Sequence, residues 1–267
     1  IYQAGIKVKM ITGDNTDTAV AIAQQAGIIN DAKPVEGQFI SSLGEEELRS
    51  IVRDTVLFTR MFPDAKLEVV KTLKADGEVV AMLGDGVNDG PALKAAHIGV
   101  AMGHKGTEIA KSAASLVITD DDLDKLITGI AAGRRIYTNL KKAVQYIISI
   151  HIPIILTVSL PLFLGWVYPA IFTPVHVIFL ELIMGPTCSI VYENEPIERH
   201  AMSGPPRRMA DTFLSWRELA VSILQGLMIT GGVLTAYQWM AQNGASEEKT
   251  RAMVFATLVL ANIFLSF

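Results

Sequence analysis

The sequence has little cysteine and no excess of positive charge. Cys188 is the only cysteine among the 267 residues, which excludes a disulfide within the chain. Lys and Arg number 23 against 27 Asp and Glu, so the formal net charge is −4. The chain has no basic footprint of the kind that binds nucleic acid, and we expect no nucleic-acid partner. Half of the residues are hydrophobic, a proportion that favours a chain partly embedded in a membrane.

Charge and hydropathy divide the chain into two parts. Residues 1–142 mix charged residues with short apolar segments, and long apolar runs dominate from Ala143 onward. A membrane-spanning helix needs about 20 apolar residues, and four runs of this kind are predicted, the last one incomplete: 143–166, 170–192, 219–240 and 252–267. We therefore predict a soluble domain over 1–125, a linking helix over 126–142 and an all-α transmembrane bundle over 143–267.

The soluble part alternates predicted strands with predicted helices. The predicted strands are 6–11, 55–59, 78–83, 98–102 and 115–118, and the predicted helices are 16–26, 44–53, 64–75 and 89–96. This alternation predicts an α/β domain with a parallel sheet and helices on both faces. Ligands of such sheets bind beyond the carboxyl ends of the strands. The loops Thr12–Asn15 and Gly84–Asp89 should therefore face one site.

The side chains of these loops suit phosphate chemistry. Carboxylates such as Asp85 and Asp89 are ligands that Mg²⁺ prefers, and Mg²⁺ commonly bridges to phosphate. Gly84 and Gly86 let backbone N–H groups approach phosphate oxygens closely. Lys66, near the start of a predicted helix, can add a positive charge at the same edge. A metal, a lysine and backbone donors around one phosphate are the parts of a phosphoryl-transfer site.

Each motif also has an ordinary structural interpretation. TGDN at 12–15 is typical of a turn that ends in a helix N-cap. A lone lysine near a helix start is usually a solvated surface residue. Two Asp residues in a Gly loop after a buried strand are more specific, because the charges destabilise the fold unless something neutralises them. When all three features lie at one edge of the sheet, the functional interpretation is favoured.

Three longer segments, ITGDN, FTRMFPDAK and MLGDGVNDGPALKAAHIGVAMG, precede a linking helix and paired hydrophobic spans. In this order they closely resemble the P-type cation-transporting ATPases, especially the calcium-pump-like branch, over nearly the whole chain. The resemblance implies a haloacid-dehalogenase-like fold, here the later part of a phosphorylation domain. It also implies cation transport driven by ATP through an aspartyl-phosphate intermediate, with ATP as substrate and Mg²⁺ as cofactor.

The resemblance assigns roles to individual residues of the soluble part. Thr12, Gly13 and Asp14 match the loop that contacts the transferred phosphoryl group and the nucleotide. Arg60 and Lys66 match nucleotide and phosphate contacts, and Lys66 would pair with the phosphorylated carboxylate.

The second loop holds the remaining matches. Asp85 matches the Mg²⁺ ligand, and Asn88 and Asp89 complete the surroundings of the phosphate and the metal. We expect catalytic roles for Thr12, Asp14, Lys66 and Asp89.

One family motif is absent from the sequence. The nucleophilic aspartate of the family lies in an Asp-Lys-Thr-Gly-Thr motif, which these 267 residues do not contain. We therefore expect the isolated chain to be inactive and its partner to be an N-terminal portion of the same protein. Two alternatives stay open: a truncated membrane protein that modulates an intact pump, and a membrane-anchored phosphatase of the same fold. The phosphatase would need its own Asp-x-Asp nucleophile near the front of the domain, and none is present.

Basic residues indicate the orientation of the predicted spans. They precede the first span and recur between the second and third, at Arg134, Arg135, Lys141, Lys142, Arg199, Arg207 and Arg208. The positive-inside rule then places residues 1–142 and about 193–215 of this multi-pass membrane protein in the cytoplasm.

Polar residues within the spans mark a candidate site for the transported cation. Glu181 lies in FLELIMGP, and ionisable groups in a membrane usually face a bundle interior. Pro186 and, in the first span, Pro153 should unwind their helices and free carbonyl oxygens. We predict a single cation or proton site built around Glu181, with His151 beside it. The alternative is a plain interhelical hydrogen bond from Glu181 to a histidine.

The resemblance also separates this site from the calcium pumps. His151 falls where those pumps carry an Asn, Ile154 where they carry a Glu, and Glu181 where they carry another Asn. Asn262 falls at a Glu position of the fourth span and joins the candidate ion site. Several oxygen ligands of the calcium pattern are therefore missing, which argues against a site for two calcium ions.

Overall fold

A computed structural model describes residues 1–28, 33–208 and 210–266, without the side chains of Met184 and residues 187–189. Phe267, the last residue of the predicted fourth span, lies outside the described residues. The chain forms two compact units. One contains Ile1–Ala131 and Arg199–Asp211, and the other contains Ala132–Glu198 and Thr212–Phe267.

The first unit is built from short strands and helices in alternation. Its strands are β1 (Met10–Ile11), β2 (Val35–Glu36), β3 (Leu57–Thr59), β4 (Ala81–Gly84), β5 (Ile98–Met102) and β6 (Leu116–Ile118). Its helices are α1 (Thr16–Gln25), α2 (Gly37–Ile40), α3 (Glu45–Asp54), α4 (Pro63–Ala75), α5 (Gly90–Ala95) and α6 (Glu108–Ala113), with 3₁₀ turns at Tyr2–Ala4 and Val87–Asp89. The predicted parallel α/β architecture is confirmed.

The strands form two parallel sheets of three strands each, in the orders β1-β3-β2 and β4-β5-β6. Helix α4 packs toward both sheets. Val69 joins the apolar cluster around Phe58 of β3, and the next residue, Val70, joins the cluster around Met82 of β4. Both valines are buried, so α4 connects β3 and β4 within this unit.

The described helices α4 and α5 pack on one face of the second sheet. On that face Met82 and Ala101 pack with residues of α4 and α5. On the other face Leu83, Ile98 and Leu116 are 37%, 39% and 54% exposed. Val100, the cross-strand neighbour of Leu116 on this face, is buried, so helices on both faces stay a prediction for β4–β6.

The second unit is helical. Helix α7 (Asp124–Phe163) begins in the first unit and is followed by α8 (Pro174–Glu193), α9 (Trp216–Gln242) and α10 (Glu247–Leu265). Their shared core includes Tyr146, Ile150, Leu180, Val233, Tyr237, Val254 and Leu258. Of the described helices, α7 and α9 are long and apolar enough to cross a membrane, and Pro174–Ile183 of α8 is a shorter apolar segment.

Helices α7 and α9 approach each other closely. The hydroxyl of Ser149 donates a hydrogen bond to the carbonyl of Ser222, with the two oxygens 3.1 Å apart. A Cβ atom on Gly226 would lie only 2.8 Å from the carbonyl oxygen of Ser149. Small residues at this crossing let the two backbones come together, as is common between membrane helices.

Candidate phosphoryl-transfer site

Backbone hydrogen bonds join the loops that follow β1 and β3. The Arg60 N–H donates to the carbonyl of Asp14, and the Met61 N–H donates to the carbonyl of Thr12, both at 2.9 Å. The hydroxyl of Thr12 lies 3.0 Å from the Asp14 carboxylate and also accepts the Asp14 N–H at 3.1 Å. The loop predicted to contact the phosphoryl group is therefore held by its neighbour across the sheet edge.

The N-cap role suggested for TGDN belongs to Asn15 alone. Its side-chain oxygen accepts the Thr18 N–H at 2.9 Å at the start of α1. Thr12, Gly13 and Asp14 lie before the helix, and the Asp14 side chain is exposed. The structural and functional interpretations of this motif thus apply to different residues.

Arg60 adopts an unusual backbone conformation directly after β3. Its φ is +50°, a region that few residues other than glycine occupy. This turn brings its N–H to Asp14 and leaves its side chain largely exposed, with Nε 3.7 Å from Oε1 of Glu36. An exposed guanidinium beside the Thr12–Asp14 loop suits contact with a nucleotide.

Lys66 and Asp89 form the best-enclosed ion pair of the first unit. Lys66 Nζ lies 2.7 Å from Asp89 Oδ1, and the two side chains are 12% and 10% exposed. The other oxygen of Asp89 accepts the N–H of Gly86 at 3.3 Å. Pro63 opens α4 and places Lys66 in its first turn. Lys66 is therefore enclosed and paired with the Gly loop, unlike the solvated lysine of the ordinary structural interpretation.

Asp85 and Asn88 lie on the same loop and are exposed. Within the described residues, the carboxylate of Asp85 has no hydrogen-bond or ion-pair partner, while its carbonyl accepts the Thr107 N–H at 2.9 Å. An unpaired carboxylate next to a lysine-paired one fits a Mg²⁺ ion that keeps most of its waters. Both carboxylate oxygens of Asp89 already have partners, Lys66 and the Gly86 N–H. Asp89 therefore suits a position near the metal.

The structure thus arranges the predicted residues in two groups. One contains Thr12–Asp14 and Arg60, and the other contains Lys66 and the loop Asp85–Asp89. The turn at Arg60 leads directly into α4, which carries Lys66 to the second group. No hydrogen bond or ion pair joins the groups directly in the part of the chain that the structure describes.

Sequence reasoning missed a contact that Asp121 makes with the segment before Thr107. Asp121, with φ of +56°, accepts the N–H groups of His104 at 3.0 Å and Lys105 at 2.9 Å. Desolvation raises the pKa of Asp121, but these N–H donors outweigh it and the pKa lies below its ordinary value. The signal was present in the four-residue run Thr119-Asp-Asp-Asp, which is typical of a capping loop.

In the second unit, His151 and Glu181 face each other from α7 and α8. His151 Nε2 lies 3.3 Å from Glu181 Oε1, and both side chains are about half-exposed, at 40% and 51%. The interhelical contact to a histidine predicted as an alternative is therefore present. Helices α7 and α8 continue through Pro153 and Pro186. The prediction that these prolines unwind their helices is wrong, although each still removes one backbone donor.

Two buried polar residues in this unit lack partners. The side-chain oxygen and nitrogen of Asn262 and the hydroxyl of Thr157 are buried without a hydrogen-bond partner among the described residues. Asn262 was predicted from the resemblance, and no described hydrogen bond connects it to His151 or Glu181. Thr157 was missed, although a hydroxyl in the apolar run of α7 is itself a signal.

Comparison with known families agrees with this arrangement. A model of haloacid dehalogenase-like hydrolases matches residues 2–97, and a model of the C-terminus of cation-transporting ATPases matches residues 169–267. The order of the two matches is that of the two units. The chain belongs to the P-type cation-transporting ATPases.

Several similar proteins are named calcium-transporting ATPases. The chain is 36% identical over 266 residues to calcium-transporting ATPase 1 of Lactococcus lactis, with 99% of this chain and 30% of that protein covered. It is 34% identical over 266 residues to a calcium-transporting ATPase of Bacillus subtilis, covering 98% of this chain and 29% of the relative. Human calcium-transporting ATPase type 2C member 1 is 32% identical over 265 residues, with 99% of this chain and 29% of that protein covered. The chain spans about three-tenths of the length of these relatives.

Proposed function

We propose that this chain is the later part of an ATP-driven cation pump that works through an aspartyl phosphate. The observation that carries the proposal is the enclosed Lys66–Asp89 pair next to the unpaired carboxylate of Asp85. Asp85 would hold Mg²⁺, and Thr12–Asp14 and Arg60 would contact the phosphoryl group and the nucleotide. Its relatives are named for calcium, which supports a cation as the cargo.

Lys66 is placed to act on a transferred phosphoryl group. In the structure its charge is neutralised by Asp89 at 2.7 Å. A phosphorylated aspartate carries more negative charge than a carboxylate and competes for the same ammonium group. We propose that Lys66 shifts toward the phosphoryl oxygens in the phosphorylated state, where its charge stabilises the transition state.

An upstream segment would add to the outer strands of the two sheets. Strands β1 and β4 are outer strands, each with one neighbour in its sheet. The segments that lead into them are joined by an ion pair, with Lys7 Nζ 3.2 Å from Glu78 Oε1. We propose that an N-terminal portion of the same protein adds a strand between β1 and β4. Its carboxyl end would then lie between the two groups of the site.

The second unit would provide the membrane path. We propose that α7 to α10 are spans of a multi-pass protein, with residues 1–142 and about 193–215 in the cytoplasm. Lys141 and Lys142 at the predicted cytoplasmic surface are each ion-paired, to Glu218 at 2.7 Å and to Glu195 at 2.6 Å. These pairs connect α7 to the start of α9 and to the segment after α8. A movement of α7 would therefore also displace the start of α9 and that segment.

The proposal is tested on the longer protein that joins the upstream portion to this chain. Lys66→Ala should slow steady-state ATP hydrolysis by at least about a hundredfold, the scale of losing a charged group that stabilises a phosphoryl transition state. Lys71→Ala, an exposed lysine on the same helix, is the matched control and should leave the rate unchanged. Equal rates in both variants would contradict the proposal. ATP-independent phosphatase activity would favour the membrane-anchored phosphatase instead.

A further inference from the structure

Glu36 connects three elements of the first unit beside the Thr12–Asp14 loop. It ends β2, where it lies opposite Thr59 of β3 in the parallel register. Its Oε1 accepts the hydroxyl of Thr16, the first residue of α1, at 3.0 Å. The Thr16 oxygen in turn lies 3.1 Å from Oγ1 of Thr59, which is fully buried. The Glu36 carboxylate is therefore at the junction of β2, β3 and α1.

Hydrogen bonds hold both oxygens of the Glu36 carboxylate. Thr16 donates to Oε1, and the side-chain amide of Gln38 donates to Oε2 at 3.0 Å. The Glu36 side chain is 25% exposed. Two donors from different elements fix the plane of the carboxylate, so it can orient a neighbouring charged group.

That neighbouring group is the guanidinium of Arg60. Its Nε lies 3.7 Å from Glu36 Oε1, which is an ion pair but is too long for a hydrogen bond. The backbones also meet at this point, because a Cβ atom on Gly37 would lie only 2.7 Å from the carbonyl oxygen of Arg60. The turn at Arg60 is thus held against the β2–α2 corner through its backbone and faces Glu36 through its side chain.

The approach through Nε leaves the outer edge of the guanidinium available. The N–H groups of an arginine form a rigid fork, with one edge at Nε and another between the two terminal nitrogens. The Arg60 side chain is 61% exposed, and it donates no hydrogen bond to any residue that the structure describes. The terminal edge of such a fork suits bidentate contact with two phosphate oxygens.

We propose that Glu36 is a positioning residue that orients Arg60 toward the phosphate oxygens of the nucleotide. The inference rests on the proposed function, in which Arg60 contacts the nucleotide, and it gives Glu36 a part in the same site. Glu36 acts through Arg60 and does not touch the nucleotide itself. Because the guanidinium is oriented before ATP binds, less side-chain freedom is lost on binding.

The test is equilibrium binding of ATP to the longer protein, measured without Mg²⁺ so that no turnover occurs. Glu36→Gln should raise the Kd about twofold to fivefold, the scale of a partly exposed ion pair. The rate of hydrolysis at saturating ATP with Mg²⁺ should stay unchanged, because Glu36 contacts no reacting group. Glu45→Gln is the matched control, since Glu45 pairs with Arg49 at 2.8 Å on the surface of α3. It should leave the Kd and the rate unchanged.

A double variant separates positioning from a purely structural effect. Arg60→Asn, which tolerates the positive φ, should raise the Kd by at least about tenfold, the scale of losing hydrogen bonds between charged groups. Adding Glu36→Gln to Arg60→Asn should cause no further rise. A further rise by the factor seen in Glu36→Gln alone would show that Glu36 acts without Arg60, and would overturn the inference.

Arg60→Lys tests the same geometry with Glu36 unchanged, so the result does not depend on how the Glu36 variant folds. Lysine keeps the charge but lacks the fork, and we expect weaker binding of ATP. An unchanged Kd in this variant would overturn the inference.

The remaining outcomes distinguish this inference from the proposed function. Tighter binding in Glu36→Gln would mean that the carboxylate repels the anionic nucleotide, which would overturn the inference and keep the proposed pump. A lower rate at saturating ATP with an unchanged Kd would also overturn it. If the unmodified longer protein does not bind ATP, the proposed function itself fails, and the inference fails with it.

Discussion

Gly84 and Asp89 are so close that a side chain at position 84 would collide with the carboxylate. A Cβ atom on Gly84 would lie 2.6 Å from the Cβ of Asp89 and 2.9 Å from its Oδ2. The glycine that ends β4 thus permits the loop to fold back, which places Asp89 against Lys66. Gly84 therefore has a steric reason in addition to any contact with phosphate.

Gly84→Ala should therefore displace Asp89 and weaken its pair with Lys66. Because both side chains are nearly enclosed, we expect the free energy of unfolding of the first unit to fall by about 1–3 kcal/mol, the cost of overpacking a tight site. Denaturant unfolding of the chain, followed by a probe in the first unit, measures this change. At Gly86 the added Cβ would meet Asp89 Oδ2 at 3.6 Å, an ordinary contact. Gly86→Ala should therefore have little effect, and an equal loss in both variants would contradict the steric explanation.

A second glycine prediction concerns the crossing of α7 and α9. Gly226→Ala places a methyl group 2.8 Å from the Cβ of Ile152, and the helices must separate. We expect a loss of about 1–3 kcal/mol, visible as a lower thermal midpoint of the chain in detergent. Gly232→Ala, on the same helix with open space around it, should keep or slightly raise the midpoint, because alanine favours the helix. The same loss at both positions would indicate a general defect of α9.

The pKa of Asp121 predicts a dependence on pH. The two N–H bonds from His104 and Lys105 stabilise the carboxylate and lower its pKa relative to the unfolded chain. A lowered carboxyl pKa contributes stability that is present above the unfolded pKa and is lost as pH falls through the folded pKa. Amide exchange of His104 and Lys105, measured by NMR after correction for intrinsic rates, should accelerate in acid. In Asp121→Asn, which tolerates the positive φ, this acid step should disappear; its persistence would exclude Asp121 as the cause.

The free edge of β4 gives a prediction about the upstream portion. The Ile98 N–H donates to the carbonyl of Val80, so strand alternation directs the amides of Ala81 and Leu83 away from β5. These two amides should exchange rapidly with solvent in the isolated chain and become protected in the longer protein. The amide of Met82 points toward β5, so its hydrogen exchange is the internal control. Rapid exchange of Ala81 and Leu83 in both proteins would contradict a strand inserted at this edge.

Regular and strongly apolar elements could be predicted from the sequence. Strand β5 was predicted at 98–102 and is observed at Ile98–Met102. The predicted linking helix, 126–142, lies within α7, which continues to Phe163. Both elements have consistent apolar patterns that tertiary contacts do not override.

Short elements depended on contacts that the sequence does not display. Strand β2 has two residues, Val35 and Glu36, and exists because it pairs with β3. The strand predicted at 6–11 is limited to Met10 and Ile11, which pair with the short β3. Helix α6 was missed although Thr107 caps it through the Ala110 N–H at 3.2 Å, because six residues carry little periodicity.

The candidate site could be predicted as a set of residues but not as a geometry. The loops and their chemistry followed from residue types and from the resemblance. The pairing of Lys66 with Asp89 did not, because it depends on where α4 points after the turn at Arg60. The contact between Glu181 and a histidine was predicted as an alternative, and it depends on the packing of α7 against α8.

The most direct test of the central claim is acid-stable incorporation of phosphate from ATP labelled at the γ position. The protein that joins the upstream portion to this chain should become labelled, and hydroxylamine should release the label as expected for an acyl phosphate. The Asp85→Asn variant should need a higher Mg²⁺ concentration for labelling. The 267-residue chain alone should stay unlabelled. Labelling of the isolated chain, or a longer protein that hydrolyses ATP without ever carrying acid-stable phosphate, would contradict the account.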